Sequence, residues 1–60
     1  MVDMATLNIL RTELANVRRS RDKLAEVIGP MLVPEAASAI GKLTEAADDL
    51  QEIIRTHGGA

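Results

Sequence analysis

Sixty residues with no cysteine, no aromatic side chain, a single histidine and a net charge of −2 exclude a good deal. A disulfide framework, a thiolate or multi-histidine metal centre, and the stacking platforms of single-stranded nucleic acid binders all lack their residues. A chain this short buries only about 60% of its unfolded surface, so at most one domain is expected, at the edge of independent stability.

The first element is a helix over residues 3–28. Leu7, Leu10, Leu14, Val17, Arg21, Leu24 and Ile28 alternate at spacings of three and four, which places them at heptad positions a and d on one helix face. Gly29 and Pro30 end it, with Gly29 expected in the left-handed conformation and Pro30 unable to continue the ladder. The loop 29–33 then carries Met31, Leu32 and Val33, three consecutive apolar residues where a solvated turn would carry Ser, Asn or Asp. Either they fold back over the end of the hairpin or they dock into a partner, where an adaptable methionine is useful. A second helix over residues 34–57 opens on Pro34, suited to a first turn, with Glu35 against the helix dipole. Its stripe is Ala36, Ile40, Leu43, Ala47, Leu50 and Ile54. His57 complements the dipole in the last turn, and residues 58–60 are expected as a flexible tail.

Two helices and one short loop make an antiparallel αα-hairpin, an all-α fold. Closing it sets Leu24 near Ile40, Val17 near Ala46 and Ala47, Leu14 near Leu50, and Leu10 near Ile53 and Ile54. Ordering each residue costs about 1.5 kcal/mol and burial returns about 25 cal/mol/Å², so roughly 60 Å² of apolar burial per residue is needed to break even. A lone hairpin seldom reaches that. Ala39, Ala46 and Ile53 widen the second stripe beyond what one neighbouring helix covers, and alanines admit a close backbone. A homodimeric four-helix bundle or a higher homo-oligomer is the expected assembly, a short coiled coil with this row as its interface.

Charge is uneven along the chain. Residues 1–28 set Arg11, Arg18, Arg19, Arg21 and Lys23 against Asp3, Glu13, Asp22 and Glu26, a balance of +1; the remainder sets Lys42 and Arg55 against Glu35, Glu45, Asp48, Asp49 and Glu52, a balance of −3. Arg19 and Lys23 point outward as part of a solvated face. Arg11 and Arg18 fall at e, opposite Gln51 and Thr44, neither of which is charged. They are candidates for an anion held between protomers, together with Arg21. Arg21 occupies an a position inside the seam, where it either snorkels its head to water or fixes register. The adjacent Asp48 and Asp49 splay about 100° apart, so no acid–base pair forms. No catalytic residue, cofactor or metal ligand is expected.

In length and hairpin layout the chain resembles the Rop type of plasmid RNA-binding dimer. The run "AIGKLTEAADDLQEII" is similar in cadence to small phage proteins that sequester cyclic nucleotide signals. These resemblances imply an RNA partner, or a cyclic nucleotide held between protomers. The residues themselves favour a non-catalytic protein that binds itself and another protein, as an inhibitor, adaptor or phage accessory factor. Asp3 stands where a secretory leader would be basic, and no apolar run is long enough for a membrane span. A cytoplasmic location without a membrane partner is expected.

Overall fold

A computed structural model describes residues 2–58, which are all-helical apart from short connections. Helix α1 spans Met4–Ile28, a 3₁₀ turn spans Gly29–Met31, and helix α2 spans Pro34–Gly58. Each α-helix has 25 residues, which at 1.5 Å per residue is about 38 Å of length. The molecule is a rod of 41 × 15 × 12 Å, so the two helices lie side by side along it.

Asp3 starts α1. Its backbone is extended (φ −79°, ψ 172°), its carboxylate accepts a hydrogen bond from the Thr6 backbone N–H at 2.8 Å, and its carbonyl accepts the Leu7 N–H at 3.0 Å. The Thr6 N–H, one of the orphan donors of the first turn, is thereby satisfied, and the Leu7 N–H makes the first intrahelical bond. The hydrogen bonds from Thr6 hold the Asp3 carboxyl below its ordinary pKa.

The reversal differs from the expectation for Gly29. That residue is right-handed (φ −52°, ψ −44°), and its N–H still donates to the Ala25 carbonyl. The ring of Pro30 locks its own φ in the helical range, so the chain winds onward for one tighter turn before it reverses. The left-handed residue is Leu32 (φ 55°, ψ 38°), whose N–H reaches the Gly29 carbonyl at 3.4 Å. The Val33 carbonyl then accepts the Ala36 N–H at 3.1 Å and the Ala37 N–H at 3.4 Å, opening α2 without a side-chain cap. Glu35 lies in the first turn of α2 and Arg55 in its last, each of the sign the dipole favours, with His57 also in that last turn.

Among the described residues four apolar ones are buried, Leu7 and Leu14 on α1 and Ala36 and Ala47 on α2, the last only 1% exposed. The rest of both stripes, from Leu10 and Val17 through Leu43, Leu50 and Ile54, stays half-exposed. One end is closed by a glycine. Gly58 is the last residue of α2, and a Cβ there would overlap the side chain of Leu7. Gly58, expected in a flexible tail over residues 58–60, belongs to α2 instead, and residues 59 and 60 lie outside the described residues. Leu7 against Gly58 also sets the hairpin's register, within one residue of the pairing drawn from the heptads.

Candidate interaction surface

The seam between the helices has two flanks, and heptad geometry assigns their residues. One carries the e positions, Arg11 and Arg18 of α1 with Thr44 and Gln51 of α2. Here Arg18 Nη2 donates to Gln51 Oε1, a bond that crosses the seam. The heptad alone set Arg18 opposite Thr44. Helical side chains lean toward their own N-terminus, which on α1 is toward the C-terminal end of α2, so a long arginine meets the glutamine farther along. Thr44 Oγ1 turns inward along its own helix and donates to the Ile40 carbonyl at 3.0 Å.

Arg21 keeps a side chain only 29% exposed, while its guanidinium donates through Nε and Nη2 to Asp22 Oδ1 at 3.2 and 3.1 Å. The stem therefore lies on the seam and the head sits at its edge. Because Asp22 is well exposed, this pair is worth at most about 1 kcal/mol. Arg19 Nη1 donates weakly to Asn16 Oδ1 at 3.4 Å on the outer face. Of the three arginines named for an anion, Arg18 faces Gln51, Arg21 faces Asp22, and Arg11 is exposed on the same flank two turns before Arg18. Within one chain Arg18 and Arg21 thus have different partners, and an anion held between protomers would have to draw on both.

The other flank carries the g positions, and on α2 these are Ala39, Ala46 and Ile53. Ala39 is half-buried; Ala46 and Ile53 are exposed. On α1 the same side of the rod holds Val27, 60% exposed, and Ile9, 62% exposed. The d residues Leu10, Val17, Leu24, Leu43 and Leu50 border this flank and are half-exposed, as are Ile28, Ile40 and Ile54 at a positions. An apolar row thus runs along α2 on this side, and on α1 it is met by Ile9 and Val27 near the two ends, with Glu13 and Ser20 between them.

At the loop end, Leu32 is 90% exposed and Met31 59%, with Val33 at the margin. Leu32 does not fold back over the hairpin. It also holds a left-handed backbone that costs a side-chain-bearing residue roughly 1–2 kcal/mol, so an exposed leucine is displayed at an energetic cost. The remaining hollows are open dents, one along Arg19, Ser20, Lys23 and Leu24 and another between Gly29 and Ile40. The second ion pair among the described residues, Arg55 with Glu52, lies on the surface and holds the Glu52 carboxyl below its ordinary pKa. No cluster of three metal-ligating side chains occurs among the described residues. None of their helices is long and apolar enough to cross a membrane.

Two of these features escaped the sequence reading. The Asp3 cap had a signal, an aspartate just ahead of the first apolar-periodic residue. The left-handed Leu32 had none, because Gly29 was the residue whose chemistry suited that conformation. No protein-family model, curated protein or solved structure matches the chain.

Proposed function

We propose that this chain is a non-catalytic binding protein that works as a homo-oligomer through protein–protein contacts, in the manner of an inhibitor, adaptor or accessory factor. The observation that carries this reading is the open apolar row Ala39, Ala46 and Ile53, with Ile9 and Val27 of α1 exposed on the same side and half-exposed leucines along the seam. A chain of this size gains the burial it lacks by covering that strip. Leu32 supplies a second apolar contact, at the loop end and away from the strip, suited to a different protein.

Sedimentation at micromolar concentration is expected to give a dimer or larger, with a melting temperature that rises with protein concentration. A folded monomer whose melt ignores concentration would overturn the reading. Replacing Leu32 with Gly relieves the left-handed strain and is expected to stabilise the fold by about 1 kcal/mol. The same change is expected to weaken capture of an outside partner. The competing function is a phosphate-bearing ligand or RNA held by Arg11, Arg18 and Arg21. It calls for a melting-temperature rise with phosphate or a cyclic dinucleotide in low salt, lost on replacing Arg11 and Arg18 together by Gln.

A further inference from the structure

We infer that the apolar strip is covered by a second copy of this chain, stacked face to face about a two-fold axis that crosses the helices at Ala46, so that α2 packs antiparallel on α2 of the second copy. This rests on the self-association proposed above and adds its geometry.

The argument comes from what each possible axis brings together. With Ala46 on the axis, Ala46 meets its own copy, where two alanines admit close helix approach. Ala39 then meets Ile53 of the second copy at both ends, a small side chain against a large one. The row outside the strip on α2 holds Glu35, Lys42 and Asp49. The same register sets Lys42 beside Asp49 of the second copy, and Glu35 beside its His57, each pair occurring twice. Neither Lys42 nor Asp49 takes part in the two ion pairs found among the described residues of the hairpin.

Helix α1 gives an independent reading of the same axis. Leu7 against Gly58 puts Ala46 of α2 level with Arg19 of α1, and the heptad pairing of Leu14 with Leu50 puts it level with Arg18. An axis at that level sets Ile9 beside Val27 of the second copy, the two most exposed apolar side chains on that side of α1 beyond its first turn. It also brings Glu13 within reach of Lys23 of the second copy. The charge and size patterns of two different helices thus select one axis.

The competing axis runs along the rod and stacks α2 on α1 of the second copy with levels kept. That arrangement sets Lys42 beside Lys23 and Ile53 beside Glu13, a like-charge contact and a carboxylate against an aliphatic side chain, each twice. The available area suits face-to-face stacking. A side of the rod, 41 Å long and covered along its whole length, offers the area that a stable interface needs. A contact confined to one end of the rod falls well short of it.

The chain has no cysteine, so single cysteines report the register directly. Under mild oxidation Ala46→Cys is expected to form a disulfide-linked dimer. Ala39→Cys and Ile53→Cys are each expected to stay monomeric on a denaturing gel when alone, and to crosslink when mixed. Self-crosslinking of Ala39→Cys and of Ile53→Cys as efficient as that of Ala46→Cys would mean parallel helices and overturn the proposal. So would a wild-type oligomer in which none of these combinations crosslinks, whereas a wild-type monomer overturns self-association itself. A charge exchange checks the register without cysteines. Lys42→Glu and Asp49→Lys, each alone, are expected to weaken the dimer by tenfold or more, and an equimolar mixture of the two to recover it as a heterodimer. A mixture no tighter than its components would overturn the Lys42 to Asp49 pairing and the axis with it.

Discussion

The two flanks of the seam share one backbone geometry and end in opposite conditions. On the e flank Arg18 reaches across to Gln51, and the long polar side chains close the hairpin on itself while remaining hydrated. On the g flank Ala39, Ala46 and Ile53 are too short to span the gap to α1, and the half-exposed leucines behind them stay in contact with water. Side-chain length and polarity alone decide which flank is finished within one chain. The e flank is also where a ligand held by arginines would bind, and there Arg18 would exchange its exposed hydrogen bond to Gln51 for the ligand. The unfinished flank is where association has the most to gain.

The largest expected effect separates the buried core from the open strip. Leu14 is buried, so Leu14→Ala is expected to cost about 2–5 kcal/mol. For a domain with only a few kcal/mol in hand that abolishes cooperative folding at every concentration. Ile53→Ala removes a side chain that the hairpin itself leaves 41% exposed. It is expected to lower the melting temperature chiefly through the concentration-dependent part. Circular-dichroism melts at two protein concentrations check both, and equal, concentration-independent losses would erase the distinction.

The glycines of α2 give a contrast of intermediate size. Nothing lies within 4 Å of a Cβ placed on Gly41, whereas one on Gly58 would overlap Leu7. Gly41→Ala is expected to stabilise by about 0.5–1 kcal/mol, because it only removes backbone freedom from a helix interior. Gly58→Ala is expected to destabilise by about 1–2 kcal/mol, since overpacking a buried leucine outweighs the helix-propensity gain. Denaturant titration of both variants reads the signs directly. A stabilising Gly58→Ala would mean that Leu7 has room to move.

How far the sequence revealed this layout follows from which physical signals are periodic. Both helices and the seam were legible, because Leu7 to Ile28 and Ala36 to Ile54 repeat at helical spacing. The open g flank was legible as well, from Ala39, Ala46 and Ile53. The reversal was not, because the choice between Gly29 and Leu32 for the left-handed residue depends on how Pro30 propagates the turn rather than on local propensity. Nor was the Arg18 to Gln51 bond, since a heptad diagram carries position without side-chain direction. Gly58 looked like a frayed end because glycine is a poor helix former; its fit against Leu7 is a tertiary contact no window of sequence contains.

Arg21 tests whether the seam is weakened where its row is interrupted by charge. Its head is met by the exposed Asp22, a contact of at most about 1 kcal/mol, while a leucine in its place would bury apolar surface along the seam. Arg21→Leu is expected to raise thermal stability by about 1 kcal/mol and, with the polar position gone, to broaden the distribution of oligomers seen by sedimentation. A loss of several kcal/mol instead would place Arg21 in a satisfied polar network that the single pair with Asp22 does not describe.

The smallest effect concerns acid and the two depressed carboxyls, Asp3 at the start of α1 and Glu52 beside Arg55. A group whose folded pKa lies below its unfolded value adds stability that is fully present above the unfolded pKa and is lost as pH falls through the folded one. Both carboxyls therefore act in the same direction, and the melting temperature is expected to fall from about pH 5 downward. Asp3→Asn separates the two. Asparagine caps a helix as well as aspartate does but does not titrate, so the variant is expected to keep its helix content at neutral pH and to show a shallower acid decline, the remainder belonging to Glu52. Melts at matched ionic strength across that range check this. A decline of unchanged slope would mean that the hydrogen bonds from Thr6 to Asp3 contribute nothing to stability, and that α1 is started by its packing at Leu7 alone.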